Sequence, residues 1–211
     1  MKQNSQFVFD AGTLALDLLN TWRFDGSQAL DLLQNPEDVV TWLAAVSLPS
    51  DASFPELSSS PPNRRILLDE ALWLRQDILL IVQSLVAGKV PPPYTVHALN
   101  RILTESGTSF RLDSLIITSE EEQSEGMQDQ LVLDAHEHAS SVLGVLQPIA
   151  LSAARIVTEE NPTRIRQCAA RDCMYWFLDT SKSGRRRWCS MSRCGNRAKA
   201  AKHYRQRSEL S

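Results

Sequence analysis

The sequence predicts an α+β protein: a mainly α-helical N-terminal domain with a small β-hairpin, followed by a small C-terminal zinc module that ends in a basic helix. Two observations lead to this prediction. Apolar residues recur at helical spacing in several segments between residues 36 and 104, and all four cysteines lie between Cys168 and Cys194. The expected domains are residues 1–160 and residues 161–211.

The first elements are a strand and two helices. Residues 7–9 (Phe-Val-Phe) predict a short strand that ends in a turn. Residues 13–22 contain no helix breaker and predict a helix. Asn35 is a favourable N-cap before Pro36, so a second helix begins there and buries Trp42.

Residues 49–63 are rich in Ser and Pro and predict an exposed loop. Helices are expected over residues 64–86, ended by Gly88, and over residues 94–104. Further on, residues 110–118 and 130–133 predict a hairpin with a long acidic loop, and residues 135–157 predict a helix bent at Pro148.

The cysteines form two C-x4-C pairs, Cys168 with Cys173 and Cys189 with Cys194, with fifteen residues between the pairs. Each pair can supply two thiolates, and together they make a tetrahedral Zn(Cys)4 site. Four thiolates complete the coordination, so we expect one structural Zn²⁺. Two disulfides are the alternative. The N-terminus lacks secretory signal features, which favours a cytoplasmic location, where disulfides are rare.

Charge is divided unevenly along the chain. Residues 163–211 hold thirteen Lys or Arg against three Asp or Glu, a balance of +10, whereas residues 1–162 hold nine against twenty-two, a balance of −13. This asymmetry indicates a nucleic-acid-binding tail on an acidic body. The alternative is a tail that docks onto its own acidic domain.

The expected nucleic-acid contacts are the cations of the zinc module and of the basic helix that follows Gly195 and Asn196. They are Arg185, Arg186, Arg187, Arg193, Arg197, Lys199, Lys202, Arg205 and Arg207. Trp176 and Phe177 are expected to form a small core under the metal, with base stacking as the alternative role for the aromatic residues between the cysteine pairs.

A second candidate site is Asp17, Asn20 and Thr21, which share one helix face amid leucines. They predict either a small-ligand pocket or a buried polar network. We find no nucleophile–base pair, phosphate-binding glycine loop or open metal position, and therefore expect no enzymatic activity. No segment is long and apolar enough for a membrane span.

Several motifs in the C-terminal segment occur together. Phe-Leu-Asp stands at 177–179, Arg-Arg-Arg-Trp-Cys-Ser-Met at 185–191, and Cys-Gly-Asn-Arg-Ala-Lys at 194–199. In this order they resemble the bacterial CGNR zinc-finger family.

The N-terminal part resembles the companion ABATE domain. The similarity is carried by Leu-Asp-Leu-Leu-Asn-Thr at 16–21 and by Pro-Glu-Asp at 36–38 before Trp42. The two resemblances imply a stress-linked transcription regulator whose zinc module binds DNA.

We therefore expect a DNA-binding transcription regulator whose N-terminal domain senses a small-molecule effector or forms a homodimer. An RNA-binding or protein-interaction module, with Tyr175 or Trp188 stacking on bases or a partner, is one alternative. The other is a small-molecule-binding or catalytic N-terminal domain with an accessory zinc finger. Loss of the Cys189 thiolate is expected to release zinc while leaving the N-terminal domain folded.

Overall fold

The structure is a computed structural model that describes residues 7–24, 28–46, 60–116, 129–139 and 141–201 of the chain. It is helix-rich, with three two-stranded antiparallel sheets among the described residues, and the α+β prediction is confirmed. Within these ranges, no helix is both long enough and apolar enough to cross a membrane.

Helix α1 spans Leu14–Leu19 and is shorter than predicted. Strand β1, Trp22–Phe24, follows at once and pairs with β2, Ala29–Asp31. The prediction of helix through residue 22 is therefore wrong, because Asn20 ends the helix. Residues 7–9 form no strand, although the Ala11 carbonyl accepts a hydrogen bond of 2.7 Å from the Leu178 N–H.

Helix α2, Pro36–Ala45, confirms the predicted cap. The Asn35 side chain accepts a hydrogen bond of 3.1 Å from the Asp38 N–H, and the Asp38 carboxylate accepts one of 3.1 Å from the Asn35 N–H. The predicted loop at 49–63 lies largely outside the described residues. Its last residues belong to α3, Pro61–Val86, because proline is well suited to the first helical turn.

Gly88 ends this region as predicted. Its φ of +67° is a left-handed conformation that glycine adopts without strain. The N–H of Lys89 donates to the carbonyl of Ser84 at 2.8 Å, which closes the end of α3. Helix α4 then spans Pro93–Leu103.

The predicted hairpin is confirmed and is longer than expected. Strand β3, Ser106–Ile116, pairs with β4, Asp129–Ala139, along their whole length. The predicted helix from residue 135 is wrong in its first part, since β4 occupies that sequence and α5 spans Gln147–Thr158. Pro148 opens this helix rather than bending it, because a proline in the first turn forfeits no intrahelical hydrogen bond.

One hydrophobic core joins helices α1 to α5. Its most deeply buried side chains include Leu16 of α1, Trp42 of α2, Leu74 of α3, Ile102 of α4 and Ile149 of α5. The same core also contains three residues from the segment predicted as the zinc module, which are Ile165, Trp176 and Leu178. The two parts of the chain are thus packed together through shared apolar burial.

Two bidentate ion pairs cross between elements of the N-terminal part. Arg101 of α4 binds Glu70 of α3 at 2.5 and 3.1 Å. Arg75 of α3 binds Asp31 at 2.7 and 2.6 Å and also donates to the Thr21 hydroxyl at 2.9 Å. Such paired contacts fix orientation as well as distance.

Asn20 connects α1 to the C-terminal segment. Its side-chain NH2 donates to the Trp176 carbonyl at 2.8 Å, and its side-chain oxygen accepts from the Trp176 N–H at 2.9 Å. Asn20 is buried, so these backbone groups have no access to water in its place.

We expect N20A to destabilise the protein by about 2–3 kcal/mol, because it leaves both buried backbone groups of Trp176 without a partner. Urea unfolding in the presence of zinc measures this loss. The matched control is N100A at an exposed position of α4, which should change stability by less than about 0.5 kcal/mol. Equal stability of the two variants would contradict the role assigned to Asn20.

Candidate metal centre and cationic surface

The C-terminal segment places its four cysteines in turns around one small hairpin. Strand β5, Ile165–Gln167, pairs with β6, Trp176–Leu178, and a single π-helical turn follows at Met191–Gly195. Helical residues 196–201 continue directly from that turn. Turns suit metal ligands because they bring both thiolates of a pair to one side of the backbone.

The four cysteine sulfurs converge on one point. All lie within 4.8 Å of one another, with 3.7 Å between Cys173 and Cys189 and 3.6 Å between Cys189 and Cys194. Zn–S bonds of about 2.3 Å in a tetrahedron place sulfurs about 3.8 Å apart. The donor set therefore fits a Zn²⁺ ion held by Cys168, Cys173, Cys189 and Cys194, with no position left open for a substrate.

A backbone N–H and a guanidinium group lie close to two of the sulfurs and favour thiolates there. The Cys189 N–H donates to the Cys168 sulfur at 3.4 Å, and the Arg197 guanidinium lies 3.6 Å from the Cys194 sulfur. Hydrogen bonds, first from Cys189, lower the pKa of Cys173 to about 5, whereas burial raises the pKa of Cys194 to about 11. Without a bound cation, the four cysteine thiols cannot all be deprotonated together, because their negative charges repel one another.

Strand β6 has one face toward the metal and the other toward the main core. Phe177, which is fully buried, packs with Tyr175 and the cysteines. Trp176 and Leu178 point the opposite way into the main core. Because side chains alternate along a strand, the prediction that Trp176 and Phe177 both lie under the metal is correct only for Phe177.

The loop between β6 and Cys189 is held by arginines from before the first cysteine. Arg164 donates to the carbonyls of Asp179 and Ser181 at 2.8 and 3.0 Å. Arg166 donates to the carbonyls of Gly184 and Arg186 at 2.7 and 3.3 Å. These carbonyls lie outside any sheet, and the guanidinium groups satisfy them.

Asp179 organises the same loop from inside. Its fully buried carboxylate accepts hydrogen bonds of 3.0 and 2.6 Å from Ser181 and one of 2.8 Å from the Arg186 N–H. Burial raises the pKa of this carboxyl, but the hydrogen bonds and the nearby Arg166 charge outweigh burial and leave the pKa below its usual value.

Arg186 and Arg193, two of the predicted nucleic-acid contacts, have intramolecular partners in the structure. The Arg186 guanidinium donates to the carbonyls of Trp188 and Cys189 and lies 4.4 Å from the centre of the Phe177 ring. Arg193 pairs with Asp10 at 2.6 Å. The sequence does not reveal these contacts, because Arg186 binds backbone carbonyls and Arg193 binds a carboxylate 183 residues away.

The other predicted cations within the described residues face solvent. Arg185, Arg187, Arg197 and Lys199 are exposed. Arg187 lies over the Trp188 ring, and Arg197 pairs with Asp172 at 3.0 Å. The remaining predicted contacts lie outside the described residues: Lys202, Arg205 and Arg207.

The candidate pocket of Asp17, Asn20 and Thr21 is not assembled. Asn20 and Thr21 are buried, and their polar atoms bind Trp176 and the Leu18 carbonyl, respectively. Asp17 is partly exposed and borders a cavity of about 400 Å³ beside Phe9. Asn20 and Thr21 therefore match the buried-network alternative, and Asp17 lies apart from them at the cavity.

Several residues that build the site were missed in the sequence analysis. Arg164 and Arg166 point to one side because they alternate at the start of β5, and Asp179 with Ser181 matches an Asx turn. Either pattern could have been found from the sequence. The contribution of Asp10 could not, since its partner lies 183 residues away.

We expect C189S to lose about one zinc per chain, because three thiolates and an alcohol bind the ion far more weakly. Since Trp176 and Leu178 belong to the main core, the loss should also lower the thermal midpoint of the helical part, contrary to the expectation from sequence. Atomic emission and circular dichroism measure the two effects. S192A, an exposed change in the same turn, is the control; full zinc retention in C189S would refute the assignment.

The stability of the folded protein is expected to depend on pH through the Asp17 carboxyl. Burial raises the pKa of this carboxyl to about 6, with Asp10 adding repulsion and the Ala11 N–H opposing it. The folded state then binds more protons than the unfolded state between about pH 4 and pH 6, so stability falls as pH rises through that window. D17N should gain about 1–2 kcal/mol relative to wild type between pH 4 and pH 7, after allowance for partial exposure. Parallel unfolding profiles of the two proteins would contradict this.

Comparison with known proteins agrees with this architecture. Residues 12–160 match the model of the ABATE family, described as "Putative stress-induced transcription regulator". Residues 164–207 match the CGNR zinc finger. A search of curated proteins found no match. Because the first match covers more than half of the sequence, the chain belongs to the ABATE family, with a CGNR zinc finger as its C-terminal part.

Proposed function

We propose that this protein is a DNA-binding transcription regulator in which a structural Zn(Cys)4 site holds a cationic surface against duplex phosphates. The observation that carries the proposal is the arrangement of three consecutive arginines. Arg186 is bound inward to the backbone beside Cys189, while Arg185 and Arg187 on either side are exposed. A fixed central residue therefore lies between two exposed guanidinium groups, one of which, that of Arg187, lies over the Trp188 ring.

Burial alternates along these three residues. Arg186 is half-buried and donates to the carbonyls of Trp188 and Cys189, whereas Arg185 and Arg187 on either side are exposed. No ion pair to a carboxylate in the described ranges involves Arg185 or Arg187. Consecutive cations without acidic partners repel one another, and a phosphate backbone relieves that repulsion.

The helical residues 196–201 extend the same cationic character. Arg197 and Lys199 are exposed, and the small side chains of Ala198, Ala200 and Ala201 allow close approach to a duplex. The helix begins directly after the metal ligand Cys194, so the ion anchors its first turn. Lys202, Arg205 and Arg207 continue the basic pattern in the sequence.

The N-terminal part is proposed to regulate this surface, by binding an effector or by forming a homodimer. Support comes from its direct contacts with the zinc module, through the Asn20–Trp176 hydrogen bonds and the shared core. A rearrangement of α1 would be transmitted to β6, because both backbone groups of Trp176 depend on Asn20. The family description, a stress-induced transcription regulator, agrees with this division of roles.

Recognition of RNA by base stacking has less support. Tyr175 is buried, and Arg193 lies 5.4 Å from the centre of its ring. Trp188 is half-buried, and Arg187 lies over its ring. An arginine thus lies against each ring, in the kind of position that a stacked base would occupy. Competition between duplex DNA and structured RNA separates the two functions, and preference for RNA would reverse our assignment.

We expect the double variant R185Q/R187Q to bind duplex DNA more weakly and with a flatter salt dependence. With about six phosphate contacts, the log–log slope of affinity against salt is near −5, and removing two contacts should reduce its steepness by about 2. Fluorescence anisotropy over a range of salt concentrations measures both quantities.

The matched control is R65Q/R155Q, which removes two exposed arginines paired with acidic residues on α3 and α5. This variant loses the same formal charge but should keep the wild-type slope. Equal effects of the two double variants, or a wild-type affinity that does not change with salt, would contradict the proposed function.

A further inference from the structure

Asp10 lies at the edge of a groove on the cationic side of the zinc module. The groove has a volume of about 540 Å³. We call it the Asp10 groove and define it by Asp10, Ser181, Ser183, Arg185, Arg187 and Trp188, which all line it. It therefore contains the two exposed arginines on which the proposed function depends.

The lining of the Asp10 groove suits an oxyanion. Two guanidinium groups and the Ser183 hydroxyl can donate hydrogen bonds to phosphate oxygens, whereas the Ser181 hydroxyl donates to Asp179. Among the described residues that line it, Asp10 carries the only carboxylate. A negative charge in this position opposes the binding of phosphate, so its presence in a cationic groove needs a specific explanation.

The contacts of Asp10 explain why a carboxylate lies in this groove. Its carboxylate pairs with Arg193 at 2.6 Å, and its backbone carbonyl accepts a hydrogen bond of 3.4 Å from Arg186. Side chains of both Asp10 and Arg193 are about two-fifths exposed, at 41% and 39%. Exposed ion pairs contribute little to stability, so a phosphate can replace the carboxylate at low cost.

We propose that the Asp10 groove is the phosphate-binding site of the DNA interface and that the Asp10 carboxylate occupies Arg193 as an intramolecular substitute for phosphate. This inference rests on the proposed function. When a duplex binds, a phosphodiester takes the place of Asp10 on Arg193. Asp10 thereby lowers the resting affinity for DNA. It lies before residue 12, outside both matched family segments.

The test is D10N in the full-length, zinc-loaded protein. An asparagine keeps the shape and can still accept a hydrogen bond from Arg193, but it removes the charge. We expect binding to a 20-base-pair duplex, followed by anisotropy near 0.1 M salt, to become roughly two- to fivefold tighter. The double variant D10N/R193Q should lose this gain, because Arg193 is the group that the substitution releases.

The matched control is D69N on α3, which also removes one exposed carboxylate that pairs with an arginine. The C-terminal end of α3, at Leu85, lies near the zinc module. Asp69 lies sixteen residues earlier on the same helix, at a distance of about 24 Å along its axis. D69N should therefore leave the affinity unchanged. Equal tightening by D10N and D69N would show an effect of net charge alone and would overturn the proposal.

Other outcomes of these measurements also test the role of Asp10 and the proposed function. Unchanged or weaker binding by D10N, with normal salt dependence in the wild type, overturns the Asp10 assignment and leaves the proposed function standing. Absence of duplex binding by the wild type overturns both. Zinc content and the thermal midpoint are measured for each variant. If D10N loses zinc, D10S replaces it, and the same loss there would show that Asp10 is structural and overturn the proposal.

Discussion

The convergence of four cysteine sulfurs within 4.8 Å is the constraint on which the C-terminal structure depends. The chain leaves β6, turns through Gly184 and returns to Cys189 with few apolar contacts of its own. A segment of this size has too little core to define a fold, so metal coordination must supply much of its stability. Closing the metal site also fixes β6, whose opposite face packs into the helical core.

The arginines of this segment divide into two groups with different physical roles. Arg164, Arg166 and Arg186 satisfy backbone carbonyls of a loop that has no sheet partner. Arg185 and Arg187 remain at the surface. A formal charge of +10 therefore overstates the cations available to a ligand. For the proposed DNA binding the internal arginines still matter, because they hold the loop that carries the external ones.

The sequence was sufficient to predict the features that depend on local chemistry. Cysteine spacing predicted the metal site, the Asn35 cap predicted the start of α2, and Gly88 predicted the end of α3. Prediction from the sequence failed where the same residues can form either a helix or a strand. Residues 135–139 are such a segment, and pairing with β3 along its full length decides for the strand.

Contacts between residues that are far apart in the sequence could not be predicted either. Asn20 binds the Trp176 backbone 156 residues away, and nothing near Asn20 distinguishes that role from a ligand site. The same holds for Asp10 and Arg193. The faces of β6 were different: once the segment is recognised as a strand, alternation alone separates Phe177 from Trp176.

In the function proposed here, the metal builds the DNA-binding surface and takes no part in chemistry. A chelator titration tests this directly when bound zinc and affinity for duplex DNA are measured on the same samples. We expect zinc content and DNA binding to fall together and added zinc to restore both. Duplex binding that persists after the zinc has been removed would contradict it.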